Sequence, residues 1–343
     1  AHVRPFPQET IGNLMLRNRL ITLLACAALP YAAAEADNTL NADDRQVADF
    51  AARMADEHGF AADDVRAVLA DAEIQQSILD AISRPAEKTK PWHEYRKIFL
   101  TEERISQGAQ FWNEHRASID AASRRFGVDP SMIVAIIGVE TFYGRRTGSY
   151  RVLDSLATLG FRYPPRSKFF LRELEEFLLL TREQGLDPRL PKGSYAGAMG
   201  APQFISSSYR AYAVDGDGDG QVNLWDSWPD VIASVANYFS VHGWAAGDPV
   251  ASLAQGPGDI APGKGLKLDS TVGKLQASGV RFEAAQEADS PATLIELDQV
   301  DGPEYWVAYK NFYVITRYNR SRLYAMAAHD LAEAIDSRVG QTG

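Results

Sequence analysis

A single carboxylic acid stands at the end of an apolar stretch of this chain. Glu140 follows the run 134–139, which has helical continuity and only apolar or glycine residues. Burying a carboxylate is costly unless it is paired or protonated, and apolar surroundings raise its pKa. A carboxyl group in such a pocket can serve as a general acid near neutral pH. Glu140 is therefore either such an acid or a surface residue that pairs with Arg145 or Arg146.

Groups that suit a saccharide occur in three other segments. The stretch 193–204 is rich in glycine and small residues, which let backbone approach a ligand closely, and it contains Ser194 and Gln203. Tyr238 and Tyr318 lie in segments that mix aromatic and polar residues. Aromatic faces stack on sugar rings, while amides and hydroxyls bond to sugar hydroxyls and acetamides. Core packing is the alternative explanation for each aromatic residue taken alone.

An acidic stretch from 215 to 226 has the spacing of an EF-hand calcium loop. Asp215, Asp217 and Asp219 occupy the first, third and fifth ligand positions, with glycine at the sixth. Gln221 would supply its backbone carbonyl at the seventh position. Three closely spaced carboxylates repel one another and therefore favour a bound cation. A solvated acidic turn is the alternative.

The bulk composition is that of a globular protein. The chain has 343 residues, of which 45% are hydrophobic and 23% charged, enough for two or three domains with cores of their own. Its net charge is -10 and its pI about 5.2, which argues against nucleic-acid binding through an overall basic field. We expect a monomer.

The N-terminal region reads as a secretory signal peptide at 15–36. Met15 begins a basic segment, an apolar segment follows, and alanines near 32–36 offer cleavage sites. Residues 1–14 precede this start. The location expected is periplasmic. Cys26, the only cysteine, lies inside the signal, so the mature chain would contain no disulfide; an outer-membrane lipoprotein processed at Cys26 is the alternative.

Hydrophobic periodicity predicts helices over most of the chain. One helix is predicted from Glu102 to Phe126, and Asp129-Pro130 begins the helix that carries Glu140. Another is predicted from Val314 to Ile335. Beyond residue 247 the composition changes, and alternating apolar residues predict strands at 279–282, 292–297 and 305–309. Together these patterns predict a mainly α (α+β) fold with a small β-rich insertion.

Six motifs together resemble one family closely. They cover most of residues 125–245 and part of the C-terminal region, at 136–141, 153–159, 193–204, 223–226, 234–239 and 311–321. On these motifs the chain resembles the B-type lytic murein transglycosylases. The resemblance implies a lysozyme-like helical core with an EF-hand-type loop. It divides the chain into upstream residues 1–14, the signal peptide 15–36, a helical α domain at 37–125, a catalytic core at 126–248 with the calcium loop at 215–230, a β-rich domain at 249–308, and a C-terminal segment at 309–343 that returns to the core.

The resemblance also implies an activity and a set of residues. Glu140 would be the single acid/base that cleaves the bond between N-acetylmuramic acid and N-acetylglucosamine in peptidoglycan, leaving a 1,6-anhydro end. Ser194, Gln203, Tyr238 and Tyr318 would bind sugar, and Arg166 would meet a peptide or lactyl carboxylate. Here Pro165 replaces a usual basic residue, and Ala201-Pro202 replaces the usual Tyr-Gly before the glutamine.

The last calcium ligand and two rival functions stay open from sequence. Asp226 stands at the twelfth loop position, where it is shorter than the usual Glu, and the family pattern favours the later Asp230. Calcium would be structural, and no cofactor is expected for the chemistry. The partners expected are peptidoglycan glycan strands and proteins of cell-wall synthesis or remodelling. The alternatives are a hydrolytic muramidase and a non-catalytic, calcium-stabilised peptidoglycan-binding module.

Overall fold

The computed structural model describes residues 38–41, 44–84 and 90–342. The predicted signal peptide at 15–36, with Cys26 inside it, and residues 1–14 lie outside these ranges. Within the described ranges, no helix is both long and apolar enough to cross a membrane. The predicted mainly α fold with small antiparallel sheets is confirmed.

The described chain up to residue 126 is helical, as predicted. Its helices are α1 (Arg45–His58), α2 (Ala62–Ala70), α3 (Gln76–Ser83), α4 (Trp92–Phe99), α5 (Glu102–Glu114) and α6 (Arg116–Phe126). The prediction of one helix from Glu102 to Phe126 is wrong, because His115 leaves helical geometry with ψ 19° and separates α5 from α6. Its ring packs 4.5 Å from Phe111 and 5.3 Å from Trp228, so tertiary contacts set the break.

The middle of the chain carries the helix with Glu140 and its neighbours. These are α7 (Pro130–Thr141), α8 (Val152–Arg162), α9 (Ser167–Glu183), α10 (Ser206–Tyr212) and α11 (Trp228–Val241), with a 3₁₀ turn at Pro164–Arg166. Pro130 begins α7, where its missing N–H leaves no hydrogen bond unmade. Strands β1 (Tyr150–Arg151) and β2 (Lys192–Gly193) pair antiparallel and bring the glycine-rich stretch 193–204 against the start of α8.

Asp154 on α8 fastens the N-terminal helices to the middle of the chain. Its carboxylate is 1% exposed and accepts hydrogen bonds from the backbone N–H of Glu73, the amide of Gln75 and the guanidinium of Arg151 at 3.0, 3.1 and 2.9 Å. A buried carboxylate with three donors is fully satisfied, so it holds the 73–75 segment in place.

The β-rich region is a four-stranded antiparallel sheet in the order β3-β6-β5-β4. Its strands are β3 (Ala251–Ala254), β4 (Ser270–Thr271), β5 (Pro291–Gln299) and β6 (Gly302–Ala308), and α12 (Val272–Ala277) follows β4. The strands predicted at 292–297 and 305–309 correspond to β5 and β6, which pair with Ile295 opposite Trp306. The strand predicted at 279–282 is wrong: only Phe282 forms an isolated bridge, with Ala254.

The C-terminal segment returns to the helical part of the molecule. It forms α13 (Lys310–Tyr318) and α14 (Arg322–Thr342), and α14 packs against α7 and α5. The prediction of one helix from Val314 to Ile335 is wrong, because Asn319 is extended, with φ −139° and ψ 124°. This break lets Tyr318 and Tyr324, on two different helices, both approach Glu140.

Two hydrophobic clusters lie in the described part of the chain. The larger one joins side chains of the N-terminal helices, α7 to α11, the sheet and the C-terminal helices. The smaller one belongs to the β-rich region alone and centres on Leu275, Leu294 and Val307. The domain boundaries stay a prediction, but the separate small cluster agrees with a β-rich insertion that has a core of its own.

Candidate active site

The end of helix α7 is held in an unusual backbone conformation. Phe142 and Tyr143 both have positive φ, 54° and 57°, which non-glycine residues seldom adopt. The hydroxyl of Tyr143 donates to the carbonyl of Arg104 at 2.9 Å. A Cβ at Gly138 would lie 2.5 Å from that hydroxyl, so only glycine admits the ring there. The chain directly after Glu140 is thus fixed by packing on α5.

Thr141 ties the same helix end to the glycine-rich stretch. Its side chain is fully buried, and its hydroxyl donates to the carbonyl of Ala201 at 2.8 Å and accepts from the N–H of Gly144 at 3.1 Å. On the opposite side, the hydroxyl of Tyr318 donates to the carbonyl of Pro202 at 2.6 Å. The stretch 193–204 is therefore fastened to both α7 and α13, beside Glu140.

The Glu140 carboxylate faces phenol groups. The hydroxyl of Tyr324, on α14, donates to Oε1 of Glu140 at 2.5 Å. Burial, and after it the charge of Glu140, raises the pKa of Tyr324 well above its usual value. The same two causes, in the same order, raise the pKa of Tyr318 well above its usual value. Both phenols therefore stay protonated over the working pH range and can serve as hydrogen-bond donors.

Gln203 and Ser194 lie on the stretch 193–204. Each side chain already makes hydrogen bonds within the protein. Gln203 has a positive φ of 54°, and its amide nitrogen donates to the carbonyls of Thr147 and Gly200 at 3.1 and 2.9 Å. Its amide oxygen accepts no hydrogen bond from the described residues, so it is available to a ligand. The Ser194 hydroxyl oxygen accepts the N–H of Ala198 at 3.1 Å, which leaves its hydrogen to donate.

Tyr238 and Arg166 lie in different settings, and their predicted roles in binding sugar and a carboxylate stay predictions. Tyr238 is 7% exposed, its hydroxyl donates to the carbonyl of Arg317 at 2.7 Å, and its ring packs 4.8 Å from that of Tyr318. Burial raises its pKa to about 12. Its hydroxyl and ring thus contact α13, where the ring supports Tyr318. Arg166 is exposed and lies over the rings of Phe169 and Phe170, on the wall of a separate cavity.

Tyr324 is the site residue that the sequence reasoning missed. It lies 184 positions from Glu140 along the chain, and its ring is 3% exposed. Its one signal in the sequence is its position just after the 311–321 motif, one helical turn into α14. Nothing local distinguishes it from a core tyrosine.

The acidic loop brings three carboxylates together. Asp215, Asp217 and Asp219 each have a carboxylate oxygen within 4.8 Å of the other two. Backbone N–H groups of the same loop hold them: Asp215 accepts from Gly218 and Gly220 at 2.6 and 2.8 Å. These donors, that of Gly220 first, lower the pKa of Asp215, which keeps it ionised. The cluster fits a hard divalent cation through its oxygen donors, with the Gln221 carbonyl next in the loop.

Asp230 and Asp226 do not join that cluster in the described structure. Asp230 is 2% exposed, and its two oxygens accept the N–H groups of Gly216 and Asn223 at 2.8 and 2.7 Å. It thereby closes the loop by hydrogen bonds. Asp226 lies in an exposed turn whose N–H donates to the Asn223 side chain at 3.0 Å. The ligand role of either residue stays a prediction.

These features bring one carboxylic acid, Glu140, next to two phenols and the stretch 193–204, and comparison with known proteins gives the class. The family described as "Transglycosylase SLT domain" matches residues 42–333, so the chain belongs to this family. The resemblance to B-type lytic murein transglycosylases is confirmed. The protein is accordingly a peptidoglycan lytic transglycosylase, a lyase that acts on a polysaccharide.

Individual relatives agree with this class. The chain is 43% identical over 295 residues to membrane-bound lytic murein transglycosylase B of Escherichia coli (strain K12), covering 83% of this chain and 81% of that protein. The structure of catenated lytic transglycosylase SltB1 from Pseudomonas aeruginosa is 51% identical, with a TM-score of 0.84, and covers 87% and 99% of the two chains. The Escherichia coli lytic transglycosylase Slt35 in complex with calcium is 41% identical, with a TM-score of 0.79 and coverage of 87% and 95%.

Proposed function

We propose that Glu140 alone supplies acid and base for cleavage of the β-1,4 bond between N-acetylmuramic acid and N-acetylglucosamine. As the acid, it donates its proton to the bridging oxygen while the bond from that oxygen to the anomeric carbon of the muramoyl unit breaks. As the resulting carboxylate, it takes the proton of the muramoyl 6-hydroxyl, whose oxygen then bonds to the anomeric carbon. Proton and atoms balance without water, and the product is a 1,6-anhydromuramoyl end.

The observation that carries this proposal is the pairing of Glu140 with a neutral phenol. Tyr324 donates to one carboxylate oxygen at 2.5 Å, so the carboxyl group that exchanges the proton is oriented. Ile136 and Ile137, one helical turn before Glu140 on α7, are fully buried. The Glu140 carboxyl gives up one proton and takes one back in each catalytic cycle, so it ends in its starting protonation state.

A second carboxylate is the usual requirement of a glycosidase. The sequence offers no obvious second carboxylate in a motif that matches the family. We therefore propose that the substrate's own 2-acetamido group stabilises the positive charge at the anomeric carbon. The amide oxygen of Gln203 and the hydroxyl of Ser194 are the groups on the fastened loop that can hold the sugar in that pose. Tyr318, supported by Tyr238, forms the wall beside them.

The experiment is Glu140→Gln, which keeps the side-chain shape and removes the acid. We expect turnover of purified sacculi to fall by at least about a thousandfold, with thermal stability and binding to sacculi retained. A fully active variant would refute the assignment. Mass spectrometry of the products of the native protein separates the rivals: anhydro ends support the proposal, reducing muramic ends would make it a muramidase, and absent products would make it a binding module.

We also propose that the loop 215–230 binds a structural calcium ion. Asp215, Asp217 and Asp219 would hold it, with the Gln221 carbonyl, while Asp230 braces the loop from inside. When bound, the ion would neutralise the mutual repulsion of the three carboxylates and fix the connection between α10 and α11. The relative Slt35 was solved in complex with calcium, which supports this proposal.

The site of action follows from the substrate. Peptidoglycan lies outside the cytoplasmic membrane, and we propose that the protein acts there, in the periplasm, as a monomer on glycan strands. The relative from Escherichia coli is named membrane-bound, so anchoring through Cys26 is the alternative that the mass of the mature N-terminus would decide.

A further inference from the structure

A cavity of about 420 Å³ lies between the turn that follows α9 and the acidic loop. Residues of the segment 184–192 form one wall, and residues of the segment 221–226 form the other. The volume lies within the range of pockets that ligands occupy in proteins.

The lining combines apolar surface with free amide groups. Leu186 and Leu190 are exposed to solvent, and Trp225 is only partly buried. In the part of the chain that the structure describes, the side-chain amides of Gln184 and Gln221 form no hydrogen bond. Apolar and aromatic surface beside such amides suits a sugar, whose ring has an apolar face and whose hydroxyl and acetamide groups need hydrogen-bond partners.

Trp225 and Asn223 are fixed by hydrogen bonds within the protein. The indole nitrogen of Trp225 donates to the carbonyl of Lys192 at 2.8 Å and so joins the two walls. The side-chain oxygen of Asn223 accepts the N–H groups of Trp225 and Asp226, both at 3.0 Å. The Asn223 side-chain nitrogen donates to none of the described residues and is available to a ligand. A lining held in this way loses little side-chain freedom when a ligand binds.

The charges around the cavity nearly cancel. Asp187 pairs with Arg189 at 3.2 Å. The two other charged residues of the lining, Asp226 and Lys192, have opposite signs. A lining without net charge does not concentrate a polyanion or a strongly basic protein segment. This balance favours an uncharged ligand such as a glycan without its peptides.

Both walls of the cavity join the stretch 193–204, which lies beside the candidate active site. Lys192 lies in β2, and it precedes Ser194 by two residues, so their Cα atoms are at most about 7 Å apart. On the other wall, the carbonyl of Leu224 accepts the N–H of Ala201 at 3.0 Å. A glycan strand that occupies the active site therefore has a short path to the cavity along one loop.

We propose that this cavity is a distal subsite for the glycan strand. Trp225 and Leu190 contact the apolar face of a sugar. The amides of Gln184 and Gln221 bond to its hydroxyl and acetamide groups. The proposal rests on the function proposed above, because the strand reaches the cavity from Glu140. Such a subsite adds affinity for long strands and leaves the affinity for short ones unchanged.

The test compares the dissociation constants of two peptide-free glycan fragments in the Glu140→Gln background, where no turnover consumes the ligand. One fragment fills only the cleft at Glu140, and the other is twice as long. Calcium is present throughout, so that the acidic loop stays in one state. By titration calorimetry we expect the long fragment to bind about tenfold tighter, with little dependence on salt because the ligand is uncharged. Equal affinities would overturn the proposal.

The decisive variant is Leu190→Ala combined with Gln221→Ala, two exposed side chains whose loss should leave the fold intact. We expect it to reduce the advantage of the long fragment to within about twofold, without changing the affinity for the short one. The matched control is Leu253→Ala with Gln276→Ala, an exposed leucine and glutamine that line a separate cavity of the β-rich region.

Two results with these variants contradict the distal subsite. The advantage of the long fragment could survive in the decisive pair, as it would if the cavity takes a protein segment instead. It could also be lost equally in the control pair. Either result overturns the proposal. Failure of the catalytic proposal shows separately, as turnover by Glu140→Gln itself.

Discussion

Two groups of carboxylates in this protein are held by opposite means. Glu140 ends a buried helix and receives the hydroxyl of Tyr324, a side chain 184 positions away. Asp215, Asp217 and Asp219 stand on a partly exposed loop and receive backbone N–H groups from their own loop. The first arrangement fixes one oxygen of one acid. The second gathers several charged oxygens in one place.

The donors around each group of carboxylates determine what it can do. A neutral phenol orients a carboxylate yet lets it change its protonation state, which an acid/base needs. Backbone N–H donors lower the pKa of Asp215, so that loop keeps its charge and suits a cation instead of a proton. The same residue type therefore serves two purposes according to the donors that surround it.

Removing the Tyr324 hydroxyl, which donates to Glu140, should change activity more than any change in the acidic loop. In Tyr324→Phe we expect kcat to fall by about tenfold to a hundredfold with KM nearly unchanged, because the hydroxyl contacts Glu140 and not the sugar. Steady-state kinetics on soluble glycan fragments measures both constants. Tyr313→Phe, on α13 with its ring beneath Arg317, is the control and should leave both constants within about twofold. An unchanged kcat in Tyr324→Phe would show that Glu140 needs no orienting donor.

The acidic loop should respond in stability and not in chemistry. With calcium at about a hundredfold excess over its Kd, we expect a chelator to lower Tm by roughly 5 °C while activity at low temperature persists. Asp219→Asn should remove most of that calcium-dependent shift, since Asp219 belongs to the cluster. Asp226→Asn, outside the cluster, is the matched control and should keep it. A Tm that is indifferent to both calcium and chelator counts against the ion.

The Glu140 site and the acidic loop also differ in how far the sequence alone could predict them. The acidic loop was predictable because its three carboxylates and the N–H groups that they accept are neighbours along the chain. Glu140 could be proposed because its apolar helix is local and the surrounding motifs match a family, and its catalytic role stays a prediction. Tyr324 was not predictable, because its role depends on α14 crossing α7, which no local pattern reports. The role of Asp230 as the last calcium ligand stays a prediction: its place in the spacing suggests a ligand, and its buried side chain accepts two backbone N–H groups.

The helix boundaries, too, could be predicted only in part from the sequence. Helical periodicity predicted where helices lie, but it joined α5 to α6 and α13 to α14. The break at His115 depends on contacts with Trp228, more than a hundred positions away, and the break at Asn319 separates the two helices that carry the phenols. Packing between distant segments accompanies the break at His115, while at the second break the Ser321 hydroxyl accepts the N–H of Tyr324 at 3.3 Å and caps the start of α14.

Asp330 on α14 offers a third case, a carboxylate with neither a phenol nor backbone donors. Its hydrogen bond among the described residues comes from Arg96 at 3.4 Å. Burial, which outweighs the opposing charge of Arg96, raises the pKa of Asp330 to about 6. The pKa of Asp330 is therefore higher in the folded protein than in the unfolded protein. Protonated Asp330 stabilises the folded state at low pH, and this contribution is lost as the pH rises from about 4 to about 6.

Asp330→Asn should reveal that loss. Since the amide carries no charge, we expect the variant to gain stability relative to the native protein at pH 7, by at most about 3 kcal/mol, and the gain to vanish near pH 4. Thermal unfolding at a series of pH values measures the difference, with the exposed Asp301→Asn as control. A difference independent of pH would mean that Arg96 compensates the charge fully. Burial alone would then not be enough to raise the pKa of a carboxyl group in this protein. The chemistry of Glu140 would then depend more on the hydroxyl of Tyr324.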